Sequence, residues 1–227
     1  MHLNIDHCSA ALVETVRHFP TLTRLHGMML DGRTLEALRA LRSLERLDLR
    51  LNGTLADLGP LADCTALRHL CVLNCPKVAH VDALASCEGL TSLDLSGLYR
   101  LRAVDVMSSL PLLAKLKLCE ATKLDLAPLG GCPSLKKLDL RDASSLKGWA
   151  GLGRSLSLQM LDLNNYGPRL SAAQLGALIK CPSLRELDLC SCEWADAAVL
   201  SAVAPLLRIR HDAERPRGRR CRLREVD

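Results

Sequence analysis

Apolar residues along the chain follow two periods at once. Locally, leucines sit three and then two residues apart, as Leu-x-x-Leu-x-Leu. At longer range that string returns every 22–26 residues. It reads Leu44-Leu47-Leu49, Leu90-Leu93-Leu95, Leu113-Leu116-Leu118, Leu135-Leu138-Leu140, Leu158-Leu161-Leu163 and Leu184-Leu187-Leu189. Leu67-Leu70-Val72 carries one conservative change, and Leu22-Leu25-Gly27 has a weak last position. With the first leucine of each copy as position one, the copies start at 22, 44, 67, 90, 113, 135, 158 and 184. The Leu-x-Leu part predicts a short strand, because side chains alternate between faces along extended backbone. Positions four and six then point inward, and positions three, five and seven point outward. No copy can bury its own leucines, so each needs its neighbours. Stacked copies place parallel strands about 4.8 Å apart.

The segments between strands predict the other side of the fold. Asp31 to Ser43, Ser171 to Lys180 and Ala195 to Ala204 have helical spacing, the second with Ser171 as a cap. The middle returns are shorter and read Asp57-Leu-Gly-Pro-Leu61, Asp82-Ala-Leu84 and Asp125-Leu-Ala-Pro-Leu129, which predicts short helical turns or extended chain. The expected fold class is therefore α/β: a solenoid with a curved parallel sheet on its concave face and short helices or turns on its convex face. Residues 1–207 form that solenoid, with a partial repeat at 1–21 and eight repeats from Leu22. In the partial repeat, Leu3, Ile5 and Cys8 fit positions four, six and nine, and Ser9 to Thr21 reads as its helical return. The chain thus starts inside a repeat, leaving an uncapped edge that a partner covers, that a longer chain extends, or that an earlier start completes. Residues 208–227 hold the end of a degenerate last strand and an Arg-rich tail. That strand begins at Leu206 or Leu207 and runs through Ile209, and His211 as its next inward residue leaves the register ambiguous.

These copies resemble the leucine-rich repeat family over nearly the whole chain. In that family position nine usually carries Asn or Cys, which satisfies backbone groups in the turn after the strand. Here it reads Leu30, Asn52, Cys75, Leu98, Ala121, Ala143, Tyr166 and Cys192. The departures make the turn geometry in several repeats less certain than the leucine register. Cys64, Cys87, Cys132 and Cys181 recur three positions before a first leucine, which resembles the cysteine-containing subclass. Small buried hydrophobes filling a corner are the expected role of these thiols. The Ala/Arg/Leu-rich style is also similar to leucine-rich proteins of kinetoplastid flagellates. The resemblance implies protein binding; other short-repeat members regulate phosphatases, bind dynein heavy chains or act in ubiquitin ligases.

Composition sharpens this picture. Leucine fills 51 of 227 positions, and 48% of residues are hydrophobic, so a large core can form and disorder is excluded. Only five aromatics are present, Phe19, Tyr99, Trp149, Tyr166 and Trp194, which excludes a base-stacking RNA platform. The net charge of +5 is uneven. Residues 208–227 hold eight Arg against four acids, and the remainder is nearly neutral. The eleven cysteines are scattered, with no terminal cluster for disulfide caps, and no basic region precedes an apolar stretch at the N-terminus. The expectation is a cytoplasmic protein, with association to a cytoskeleton or flagellum as one form of it, and neither secreted nor membrane-spanning.

The register also gives the outward residues. Position three reads Arg24, Arg46, His69, Ser92, Lys115, Lys137, Met160 and Glu186. Position five reads His26, Asp48, Cys71, Asp94, Lys117, Asp139, Asp162 and Asp188, and position seven includes Arg50 and Arg141. An aspartate ladder therefore runs beside a basic one. Arg46 and Arg50 are placed to neutralise Asp48, and Lys137 and Arg141 to neutralise Asp139. Asp162 and Asp188 have no such bases, which predicts a basic middle and an acidic C-terminal half. Either this is a merely solvated face, since Asp is common at position five in the family, or it is a polarised docking surface. His26, Asp48, His69, Cys71 and Asp94 also suggest a Cys-His nucleophile or a zinc site, but Arg46 and Arg50 intrude and a solenoid wall lacks a deep dry pocket. No enzyme motif is present, and no cofactor, metal or small-molecule substrate is expected.

The expected function is a non-catalytic protein-interaction scaffold. It binds a protein, within a larger complex, through the concave face or the N-terminal edge. The alternative is a structural subunit of a flagellar, cytoskeletal or ribonucleoprotein assembly. Its tail, through Arg215, Arg217, Arg219, Arg220, Arg222 and Arg224, would then contact RNA or an acidic tubulin-like surface.

Overall fold

The computed structural model describes residues 2–5, 18–27, 32–168, 170–192 and 208–210. Its centre is a ten-stranded sheet in sequence order. The strands are β1 (His2–Ile5), β2 (Arg24–Gly27), β3 (Arg46–Asp48), β4 (His69–Cys71) and β5 (Ser92–Asp94). They continue as β6 (Lys115–Lys117), β7 (Lys137–Asp139), β8 (Met160–Asp162), β9 (Glu186–Asp188) and β10 (Arg208–Arg210). Every neighbouring pair is parallel. The register keeps like positions side by side: Leu25, Leu47, Leu70, Leu93, Leu116, Leu138, Leu161 and Leu187 form one column. At the end of the sheet Ile209 pairs with Leu187, which fixes the register left open by His211.

From β2 to β9, the inward positions one, four and six are essentially closed to solvent. Each fully buried leucine contributes about 1.5–3 kcal/mol relative to exposure, so the column system dominates stability. From β3 to β10 the strands are only three residues long, because the chain turns directly after position six or seven. In that turn, the position-nine N–H donates to the position-six carbonyl in the later repeats: Ala121 to Leu118, Ala143 to Leu140, Tyr166 to Leu163 and Cys192 to Leu189.

Position eight carries the conformational cost of this turn. It has a positive φ in every described repeat: Leu51 (56°), Asn74 (55°), Gly97 (71°), Glu120 (62°), Asp142 (59°), Asn165 (56°) and Ser191 (59°). Position eight is thus left-handed in all of these turns, yet the two repeats with Ala at position nine carry a second left-handed residue, Lys123 (59°) and Ser145 (56°), so the turn does vary where position nine departs from Asn or Cys. A left-handed residue at position eight is common to these turns, and the position-nine side chain adds to them where it can donate a hydrogen bond. Where Asn52 stands there, its amide donates to Gly27 O (3.3 Å) and Arg50 O (3.0 Å). Cys75 and Cys192 donate thiol hydrogens to Leu49 O (3.0 Å) and Leu163 O (2.8 Å).

The return segments close the convex side. Helix α1 (Gly32–Ala37) runs into a 3-10 turn at Leu38–Ala40, as the spacing over Asp31 to Ser43 predicts. The middle returns are 3-10 turns: Gly59–Asp63, Asp82–Ser86, Asp105–Ser109 and Ala127–Gly131. In the Asp-x-x-Pro-Leu segments, Asp57 Oδ1 accepts from Gly59 N (2.7 Å) and Asp125 Oδ1 from Ala127 N (2.9 Å), starting the turn before the proline. Helix α2 (Trp149–Leu152) is one turn, and α3 (Ala172–Ile179) occupies the longest repeat, whose extra residues allow eight to coil. Ser171 caps α3 in a reciprocal pair with Gln174. The segment Ala195 to Ala204 lies outside the described residues, as do most of Ser9 to Thr21 and the tail arginines 215, 217, 219, 220, 222 and 224.

Cys64, Cys87, Cys132 and Cys181 are buried at the corner before position one. Three of them also donate a thiol hydrogen bond. Cys64 donates to Leu38 O (3.4 Å), Cys87 to Leu61 O (3.5 Å) and Cys181 to Ser155 O (3.1 Å), each in the preceding repeat.

The position-eight constraint gives opposite outcomes at two equivalent sites. Leu51 is half-exposed and strained, so Leu51→Gly raises unfolding free energy by about 0.5–1 kcal/mol, because relief of the left-handed strain exceeds the added chain entropy. At Gly97 a Cβ would overlap Asn74 Oδ1, so Gly97→Ala loses about 1–3 kcal/mol. Urea unfolding of both variants checks the pair; a loss at Leu51→Gly contradicts the strain.

Candidate functional site

The outward columns are as the spacing predicts. Position three runs Arg24, Arg46, His69, Ser92, Lys115, Lys137, Met160, Glu186 and Arg208 from β2 to β10. Position five runs His26, Asp48, Cys71, Asp94, Lys117, Asp139, Asp162, Asp188 and Arg210. The two columns differ in what their charges do.

Position-five aspartates are engaged in the fold. Oδ1 of Asp94, Asp139, Asp162 and Asp188 accepts the N–H of position seven, from Ser96 (3.1 Å), Arg141 (3.2 Å), Asn164 (2.9 Å) and Cys190 (3.0 Å). Each carboxylate so caps the strand end at a donor the ladder leaves over. At Asp48, Asp94 and Asp139 a further partner is a cation from position seven or the next strand. Arg50 Nε bonds both oxygens of Asp48 (2.9 and 2.7 Å), and His26 Nδ1 lies 3.3 Å from Asp48. Lys117 stands 3.8 Å from Asp94. Arg141 bonds Asp139 through Nε and Nη2 (2.9 and 2.6 Å).

Two expectations need correction. Arg46 and Lys137 do not pair with Asp48 and Asp139; Arg50 and Arg141 fill that role. Position three lies along extended strand, about two residue rises away, whereas position seven begins the turn, and at Arg141 its N–H is already held by the aspartate. The acidic C-terminal half is also less bare than expected. Arg141 Nε reaches across the sheet to Asp162 (3.6 Å), and Arg208 of β10 approaches Glu186 (3.9 Å). Both contacts cross between strands, so scanning neighbours within one strand misses them.

The carboxylates respond differently to this setting. At Asp139 burial pushes the carboxyl up, but the bonded, charged guanidinium of Arg141 outweighs it and holds the group below the usual range. Burial pushes Asp162 up to about 6, helped by Asp139 and Asp188 and opposed by the Asn164 N–H and Arg141.

The Cys-His reading meets a different environment from the one it needs. Burial pushes the Cys71 thiol up to about 12, and Asp48 and Asp94 add to it. A nucleophilic or metal-bound cysteine requires the opposite shift. His69 is lowered by burial and then by Arg46, Lys115, Arg24 and Arg68, which leaves a neutral imidazole among cations. Among the described residues, no group of three or more His, Cys, Asp or Glu is arranged to hold a metal. No described helix is long and apolar enough to cross a membrane.

Position three is left with the spare charge. Arg24, Arg46, Lys115 and Lys137 are exposed, and none pairs with a described acid. Arg68 and Lys136, one residue before position three, stand exposed on the same rim, with Glu45 as an acid among them. Unit charges one strand apart repel by about 1 kcal/mol even in water, and the described aspartates of these strands are already paired with other cations.

Compared with protein-family models and with curated proteins, the chain matches none. Among solved structures it is similar to internalin C2 of Listeria monocytogenes, with TM-score 0.61 and 18% identity, over 89% of this chain and 92% of that chain. It is also similar to an internalin F of the same species, with TM-score 0.48 and 16% identity, over 85% of this chain and 75% of that one. The internalin C2 likeness is one of fold: the chain is a leucine-rich repeat solenoid with an open parallel sheet.

The raised Asp162 carboxyl has a defined effect on stability. The folded state holds this proton at pH values where the unfolded chain has lost it, so the group's contribution falls as pH rises from about 4 to about 6 and stays low above. Asp162→Asn keeps the oxygen that accepts from Asn164 N and removes the charge. It is more stable than the parent by about 1–2 kcal/mol at pH 7.5, and the difference vanishes by about pH 4. Urea unfolding at the two pH values reads this; a variant less stable at pH 7.5 contradicts it.

Proposed function

We propose that the protein is a non-catalytic interaction scaffold that binds a protein partner on its concave sheet. The observation that carries this reading is the outward face itself. A ten-stranded parallel sheet presents rows of charged side chains, and among the described residues its position-five acids are engaged by the fold while the position-three cations from β2 to β7 are not. Such a surface is pre-organised, so little ordering entropy opposes binding. The protonated thiol at Cys71 and the neutral His69 favour a non-enzymatic role over a nucleophilic one. The cysteine-containing subclass remains our reading of the repeat style, supported by the thiol bonds at positions 64, 87 and 181.

Site-specific photo-crosslinking tests the face. A photoreactive residue at Ser92, in the middle of position three, captures a discrete protein that withstands a high-salt wash. The same residue at Ser109, in a convex 3-10 turn, does not. Capture only from Ser109 contradicts the concave reading.

A further inference from the structure

The position-three row specifies its occupant more closely than a scaffold role requires. Building on the concave-face reading, on which this proposal rests, we infer that the partner enters this face as an extended acidic polypeptide segment. It lies across β2 to β7 and is held by Arg24 and Arg46 at one end and by Lys115 and Lys137 at the other.

Unmatched charge points to this occupant. On the same strands, each position-five aspartate already has a cation: Asp48 has Arg50, Asp94 has Lys117 and Asp139 has Arg141. The position-three cations have no such partner among the described residues, and Arg68 and Lys136 reinforce them from the rim. Among the described residues of that rim, Glu45 is the acid beside them. His69 registers the resulting field, since Arg46, Lys115, Arg24 and Arg68 all disfavour its charged form.

Spacing adds a pattern. Arg24 and Arg46 are on adjacent strands, as are Lys115 and Lys137. Between them His69 and Ser92 form a neutral gap. Three strand steps separate Arg46 from Lys115, roughly 14 Å, which about four residues of extended chain span. The face thus fits two acidic clusters separated by about four uncharged residues. A polypeptide is favoured over a nucleic acid because no Phe, Tyr or Trp stands in the described outward columns, so large-ring base stacking has no platform there.

The test uses the full chain and three labelled probes: an extended peptide with two Glu pairs separated by four neutral residues, the same peptide with Lys for Glu, and a twelve-residue oligothymidylate. The expected result is selective binding of the Glu peptide that weakens with added salt. Arg46→Gln with Lys137→Gln weakens it by about tenfold. Lys147→Gln with Arg154→Gln, the same charge change on the return side, leaves it unchanged. Thermal melts confirm that both variants fold. Equal loss in the two double variants, equal affinity for the Lys peptide, or tighter binding of the oligothymidylate overturns the inference. A protein captured through Ser92 that survives Arg46→Gln with Lys137→Gln also overturns it, yet leaves the scaffold reading standing.

Discussion

A leucine at position four of one repeat has no shelter inside that repeat. It is covered only when the equivalent leucines of the repeats before and after lie one strand spacing away on either side. This requirement sets almost everything else. Strands must be parallel and in register, so that like positions form columns. Returns must cross the convex side within the residues left over, which selects five-residue 3-10 turns in the shorter middle repeats and the eight-residue helix α3 in the longest one. Register then extends to the outer face, where alternation stacks each outward residue on its counterparts whether or not their charges agree.

The same constraint explains why polar residues at two buried or half-buried places are structural. Stacked turns bring carbonyls of the preceding repeat to a closed interior where water cannot serve them. Asn52, Cys75 and Cys192 at the turn, and Cys64, Cys87 and Cys181 at the opposite corner, supply small donors there. On the outer face, the position-five aspartates serve the position-seven N–H groups. An acidic ladder that looks like a binding surface is therefore largely part of the strand ends. The column that remains uncommitted is the basic one beside it.

Most of this was legible from leucine spacing. The strands, their order, the outward columns and the buried corner cysteines follow from a period of 22–26 residues and from alternation. Three features were not. The left-handed position eight is hidden because Leu51, Glu120 and Ser191 do not advertise positive φ, although Asn74, Gly97, Asp142 and Asn165 at the same place do. The reach of Arg141 to Asp162 depends on how a guanidinium crosses between strands, and periodicity says nothing about that. The register of β10 depended on whether Ile209 or a neighbour faces inward, which one degenerate copy cannot decide.

The division between an inward face that holds the structure and an outward face left free for binding is tested most directly on one strand. Urea unfolding of Leu116→Ala and Lys115→Ala, adjacent residues of β6, compares the two faces at a single place. The expected loss is about 2–5 kcal/mol for the leucine and less than about 0.5 kcal/mol for the lysine. Similar losses at both residues, or a leucine loss below about 1 kcal/mol, would contradict that division.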